Sequence, residues 1–272
     1  PIDEKTKICI SISESPSRFG IAFHNEGYRK LELNYAYIPL KVLPSQLESI
    51  IESLKNNQII HGCSVSMPHK ISVMKYLDSL DESAEKCGAV NTIVKQEDDS
   101  LKGYNTDYSG AKRALLPYSL EGKTVLMAGA GGVARAIAHA VIDLGGNLTI
   151  LNRDYEKAQE LARKVGADAY SLSNLNKLYG YFLINATSVG MHNREESIVS
   201  KKQLEKFYGV MDAIVTKNDK TKLVRDAESL GISALEGSAM TIYQAAEQFK
   251  LYTGKELSEK FLSAFKDSWL KS

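Results

Sequence analysis

The sequence predicts an α/β protein built from two α/β domains, on three observations. Strand-like and helix-like patterns alternate from end to end. In the second half, apolar β-rich runs separated by helical stretches read as a parallel sheet covered on both faces. The length of 272 residues suits one large or two medium domains with ample core.

The elements follow in order. "KICISIS" (7–13) reads as a strand. "RFGIAFHNEGYRKLEL" (18–33) has helical spacing in Phe19, Phe23, Tyr28 and Leu31. "YAYIPLKV" (35–42) is a strand. "SQLESIIESLKNN" (45–57) puts Leu47, Ile50, Ile51 and Leu54 on one helical face, with Pro44 and Ser45 as its start signal. "GCSVSM" (62–67) is a short strand that stops at Pro68. "AVNTIVKQ" (89–96) and "SLKGYNTD" (100–107) read as a strand pair turned by "EDDS". A helix over "YSGAKRALLPY" (108–118) leads to the runs "TVLMAGA", "NLTILNR", "YFLINAT" and "GVMDAIV". Two helices, 238–254 and 257–272, end the chain. The domain boundary falls near Asp107; pattern alone leaves the last two helices unplaced.

Composition excludes several classes. Hydrophobic residues make up 43% and charged residues 25%, within the globular range. A net charge of +1 with no long basic run argues against a nucleic-acid binder. No apolar segment approaches the ~20 residues of a membrane span, and "PIDEKTKICISIS" lacks the core of a signal peptide. Cys9, Cys63 and Cys87 are widely spaced, and His24, His61, His69, His139 and His192 show no ligand spacing. No disulfide framework or metal is therefore expected, and a reducing cytoplasm fits best. No motif reads an oligomeric state; a monomer or homodimer is expected.

The stretch "TVLMAGAGGVARAIAHAVIDLGGNLTILNRD" is the most informative for cofactor. Gly129, Gly131 and Ala134 satisfy G-x-G-x-x-G/A between an apolar strand and an apolar-faced helix. Gly129 allows the tight turn, and Gly131 and Gly132 clear the approach of a pyrophosphate. The helix start offers unpaired N–H groups to phosphate. The second strand ends in Asn152 and Arg153, where an NAD site carries Asp or Glu. Arg153 can fork onto a 2′-phosphate, which points to NADP, with NAD the lesser alternative. Asp154 stands against this if its carboxylate faces the phosphate.

"SVSMPHK" (64–70), "GAVNT" (88–92), "YNTD" (104–107), "GAGGVAR", "LNRD", "NATSVGM" (185–191) and "SAMTIYQAAEQFKLYTG" keep the order and approximate spacing of the shikimate dehydrogenase motifs. The chain resembles that family, through most of its length. The resemblance implies an N-terminal substrate domain (1–106), a Rossmann-type, doubly wound NADP domain (107–238) and C-terminal helices (239–272) returning to the substrate domain. It implies reversible reduction of 3-dehydroshikimate by NADPH. Lys70 and Asp107 would be the catalytic pair. Ser66, Asn91 and Gln244 would bond substrate hydroxyls. Gly129, Ala130, Gly131, Gly132, Val133, Asn152, Arg153, Thr187, Met191 and Gly237 would hold the cofactor, with Met191 near the nicotinamide. Lys70 is suited to the chemistry, since an ammonium can supply the proton that an oxygen needs as hydride reaches its carbon. His69 reads as helix-start packing.

The chain departs from the usual pattern in places. Aligning on His24-Asn25 puts Arg18 and Gly20 where the family carries a serine pair for the substrate carboxylate. "SPSRFG" is similar to a divergent, shikimate dehydrogenase-like subgroup, which makes Ser17 and Arg18 the carboxylate candidates. Val215 and Lys217 replace a tyrosine and a proline, and Ser64 and Ser66 replace Asn and Thr. Alternatives are a quinate or related ring-acid dehydrogenase, or a non-catalytic sensor of NADP and a ring acid.

Overall fold

The protein is described by a computed structural model over residues 2–216 and 219–271. Two compact units divide the chain: Pro1–Thr106 with Gln244–Phe265, and Asp107–Tyr243 with Lys266–Ser272.

The first unit contains β1 (Lys7–Ser13), α1 (Arg18–Lys30), β2 (Tyr35–Lys41), α2 (Leu47–Asn56), β3 (Ile60–Val65), α3 (His69–Ser72), β4 (Ser79–Leu80), α4 (Glu82–Cys87), β5 (Thr92–Lys95) and β6 (Leu101–Tyr104). Its sheet runs β2-β1-β3-β5-β6-β4. The strands β2, β1 and β3 are parallel, while β5 runs antiparallel to both β3 and β6. Alternation gives β1 its two faces: Ile10 and Ile12 enter one core with Val65, Leu54 and Ile93.

The second unit contains most of α5 (Thr106–Leu115), then β7 (Thr124–Ala128), α6 (Gly132–Asp143), β8 (Asn147–Asn152), α7 (Tyr155–Val165), β9 (Asp168–Ser171), β10 (Phe182–Asn185), α8 (Lys201–Leu204), β11 (Gly209–Asp212), α9 (Lys222–Ser229) and β12 (Ser233–Glu236). Among the described residues the strands form one parallel sheet in the order β12-β11-β10-β7-β8-β9. This is the doubly wound order expected. The chain winds outward from β7 to β9, then returns beside β7 as β10 and winds the other way. The direction reverses between β7 and β10, so loops leaving those two strands flank a crevice at their carboxyl ends. All four residues of β10 are buried, as burial of both faces requires.

The last helices are α10 (Gly237–Thr253) and α11 (Glu259–Lys271). Within the first unit, α10 packs where two glycines make room for it. A Cβ at Gly62 would collide with the Tyr252 ring, and one at Gly27 would lie 2.7 Å from Phe249. Phe261 and Phe265 of α11 pack edge-on against Phe23 of α1. Gln244–Phe265, which spans parts of both helices, belongs to the first unit, an assignment that periodicity alone could not make.

Candidate functional site

In the first unit, strand register gathers the motifs. Ser64 pairs with Thr92, and Thr92 with Tyr104. The carboxyl ends of β3 and β6 and the start of β5 therefore lie at one end of the sheet. Val90 N–H donates to the Lys70 carbonyl at 2.8 Å and Val65 N–H to the Asn91 carbonyl at 2.8 Å, which ties the segments together. The loop after β1 joins them, with Glu14 N–H donating to the Met67 carbonyl at 3.2 Å.

Lys70 is half-buried on α3. His69 beside it is buried, and its Nε2 bonds the Val42 carbonyl at 2.8 Å, a packing role. Ser66 is exposed just past β3. Asn91 is only 3% exposed. Its Oδ1 accepts from Thr106 N–H at 2.8 Å and from the Thr92 hydroxyl at 2.8 Å. Its Nδ2 donates to Thr106 Oγ1 at 3.0 Å, leaving one N–H for any ligand. The Thr106 hydroxyl donates to Gln244 Oε1 at 3.2 Å, which turns the Gln244 amide N–H₂ away from it. Buried Gln248 donates to the Asn91 carbonyl at 3.2 Å and to Thr92 Oγ1 at 2.9 Å. Its Oε1 accepts from Ser64 at 3.2 Å. Ser64 is thus committed inward, also bonding the Tyr252 hydroxyl at 2.9 Å. Sequence reasoning missed Thr106 and Gln248. Gln248 lies one helical turn after Gln244, the one signal that both share a face.

Ser17 is the N-cap of α1, its Oγ accepting from Phe19 N–H at 3.1 Å; its own O–H stays a donor. Arg18 is exposed at the first helical position. Asp107 is half-buried in the first turn of α5, directly after Thr106.

In the second unit the glycine turn leaves β7. Gly129 has φ +116°, and a Cβ there would lie 2.5 Å from the Ala186 carbonyl oxygen, so only glycine fits. At Gly131 and Gly132 a Cβ would meet nothing within 4 Å. That open approach is what a pyrophosphate needs. Gly131 caps α6 without a side-chain hydrogen bond, leaving the first-turn N–H groups for an anion. Val133 and Met191 are partly exposed. Thr187 is half-buried and donates its hydroxyl to Asn185 Oδ1 at 2.7 Å. Gly237 opens α10, where a Cβ would lie 2.6 Å from the Ala213 carbonyl oxygen, so backbone packing itself calls for glycine there.

A recess of about 590 Å³ adjoins the turn, lined by Ala130, Gly131, Asn152, Arg153, Asp154 and Lys157. Asn152 Nδ2 donates to the Asp154 carbonyl at 3.0 Å and holds the strand end in shape. Asp154 caps α7: its Oδ1 accepts from Lys157 N–H at 3.4 Å and its Oδ2 pairs with Lys157 Nζ at 3.5 Å. The carboxylate that stood against a 2′-phosphate is thus partnered locally. The recess offers the Arg153 and Lys157 cations, a set that fits a phosphate monoester. Lys157 was missed because its position in the recess depends on how α7 leaves the strand. Val215 is exposed; Lys217 lies outside the described residues.

Residues 9–93 match the family described as the shikimate dehydrogenase substrate binding domain, and residues 111–214 that of shikimate / quinate 5-dehydrogenase. An NADP(+) shikimate dehydrogenase of Pyrococcus abyssi (strain GE5 / Orsay) is 43% identical over 234 residues, 85% of this chain and 86% of that protein. A crystal structure of a shikimate dehydrogenase in complex with NADP+ superposes with a TM-score of 0.88 at 34% identity, covering 100% of this chain and 98% of that one. A Listeria monocytogenes shikimate 5-dehydrogenase in complex with shikimate and NAD gives 0.88 at 30% identity, covering 98% and 97%. With its motifs gathered at one sheet end and its glycine turn at the reversal of a doubly wound sheet, this chain belongs to the shikimate dehydrogenase family.

Proposed function

We propose that this chain interconverts 3-dehydroshikimate and shikimate with NADP as cofactor. One observation carries the reading: the segments bearing Lys70, Asn91 and Thr106 meet at a single sheet end, in a chain whose family includes a member crystallised with shikimate. Bound NADPH supplies the hydride that reaches the carbonyl carbon. As the C=O π pair moves to oxygen, the Lys70 ammonium donates a proton to it; in the oxidation direction the Lys70 amine takes the hydroxyl proton. The Asp107 carboxylate orients that ammonium. Gln244 and Asn91 each direct an amide N–H at ring hydroxyls, held in that pose by Thr106. Arg18 meets the ring carboxylate, with the Ser17 O–H as second donor, and Ser66 adds a hydroxyl contact.

The cofactor would lie with its pyrophosphate over Gly131, Gly132 and the start of α6. Arg153 and Lys157 would hold the 2′-phosphate beside Asn152. Ala130 and Val133 would flank the dinucleotide, and Thr187 and Met191 would line its nicotinamide end. The buried thiols Cys9, Cys63 and Cys87 support a reducing, cytoplasmic setting. Among the described residues no helix is long and apolar enough to cross a membrane. The enzyme is proposed to act as a monomer or homodimer on a small ring acid, without nucleic acid.

The decisive experiment follows absorbance at 340 nm with shikimate and quinate, each with NADP+ and NAD+. NADPH formation with shikimate should dominate; no turnover on either acid would sink the reading. Lys157→Ala should raise the KM for NADP+ about tenfold, the worth of one charge-assisted contact, and leave the KM for NAD+ unchanged. An equal rise for both cofactors would remove Lys157 from the 2′-phosphate.

A further inference from the structure

We propose that Asp212, a buried carboxylate at the end of β11, is a positioning residue that sets the loop over the nicotinamide. The inference rests on the cofactor reading above. Asp212 is 1% exposed and lies within the stretch matched to the family. Its Oδ1 accepts from Asn185 Nδ2 at 3.1 Å and from Ile214 N–H at 3.1 Å, and its Oδ2 accepts from the Thr221 hydroxyl at 2.7 Å.

Asn185 passes this on to the loop. It ends β10, the strand beside the reversal point. Its Oδ1 accepts from Thr187 N–H at 3.1 Å and from the Thr187 hydroxyl at 2.7 Å. Its Nδ2 donates to the Val189 carbonyl at 3.1 Å as well as to Asp212. Thr187 Oγ1 in turn accepts from Val189 N–H at 3.1 Å. Every polar atom of the Asn185 amide is therefore directed: oxygen toward donors, nitrogen toward acceptors. Asp212 is the partner that lies outside the loop and anchors the set to β11 and, through Thr221, to the start of α9.

The loop is placed where it matters for a dinucleotide. It follows β10 at the reversal crevice, and the Ala186 carbonyl touches the Gly129 position. The adenine end, at Arg153 and Lys157, lies past β8 on the other side of β7. Removing Asp212 would leave one buried Asn185 N–H without its acceptor, a loss the amide relieves by turning. Turning it releases Thr187 and Val189, while the Arg153–Lys157 end keeps its own bonds.

Two probes separate the ends: NADPH, read by its own fluorescence, and adenosine 2′,5′-bisphosphate, which lacks the nicotinamide half, read by competition. Asp212→Ala should weaken NADPH about tenfold and leave the bisphosphate unchanged. Asp212→Asn keeps Oδ1 as acceptor and lets Thr221 turn to accept, so it should restore NADPH affinity to within about twofold. A merely structural role would weaken both probes together. Equal weakening, unchanged NADPH binding, or failure of Asp212→Asn to rescue would each overturn the proposal. If Asp212→Ala does not fold, Thr187→Val breaks the same network from the loop side; the same split supports the proposal and its absence overturns it. Wild-type protein that binds neither probe refutes the cofactor reading itself, a separate failure.

Discussion

Lys70→Ala should reduce NADP+ with shikimate about 10²- to 10⁴-fold more slowly than wild type, the range for loss of a positioned acid–base group. Hydride transfer leaves a full charge to be made or quenched on oxygen, and among the proposed contacts only the Lys70 ammonium exchanges a proton there. The side chain stands on α3, in the first unit, while the glycine turn stands in the second. NADPH affinity, read by fluorescence, should therefore stay within about twofold. Lys70→Arg sharpens the test. A guanidinium keeps the positive charge but does not give up its proton near neutral pH. Turnover should stay close to that of the alanine variant if proton transfer is the role, and recover if charge alone matters. Wild-type turnover in Lys70→Ala would end the proposal.

The second large effect concerns stability in acid. His24 is fully buried, stacked on Tyr37 with ring centroids 4.4 Å apart. Burial pushes its pKa down to about 3, against which the Gln248 hydrogen bond at 3.4 Å pulls weakly upward. Unfolded, the same imidazole titrates near 6.5. Between those values the unfolded chain binds one more proton than the folded one, so stability falls as pH falls. The loss is about 1.4 kcal/mol per pH unit, or about 2 kcal/mol from pH 6.5 to 5. It reaches about 4–5 kcal/mol near pH 3. Above pH 6.5 the group contributes nothing to the slope. His24→Phe keeps an aromatic ring and removes the titration. Its Nδ1 has no hydrogen-bond partner, so the lost polar contact is the long one to Gln248. Urea midpoints at pH 7 and 5 should diverge between the two proteins, with His24→Phe the less acid-sensitive. Comparing two proteins cancels the carboxylates they share. Parallel losses would show that His24 does not control the acid limb.

The parts legible in the sequence share a physical cause. The runs at 124–128, 147–152, 182–185 and 209–212 are buried on both faces, so they read as apolar regardless of register. The glycine turn is legible because a backbone approach such as that of Gly129 to Ala186 admits one residue type. β4, β9 and β12, of two to four residues, are too short to show a period. The strand read over 89–96 begins only at Thr92, although the Asn91 backbone before it still bonds Val65 and Tyr104. Residues whose work depends on a distant partner stayed hidden. Gln248 bonds Asn91 and Thr92 across more than 150 positions, and Asp212 bonds Asn185 across 27. No local pattern marks such pairs. Lys157 is the intermediate case: a lysine one turn into an exposed helix reads as solvated until the strand end beside it is seen to bound a recess.

The notch formed by Gly62 and Gly27 bears on how the protein is made. The first hundred residues leave the ribosome with their sheet's covering helix still unsynthesised, because Phe249 and Tyr252 come some 150 positions later. Early in translation that half can collapse but not lock. Its final packing waits until the intervening residues and α10 have been synthesised, so the nascent chain exposes apolar surface for as long as that takes.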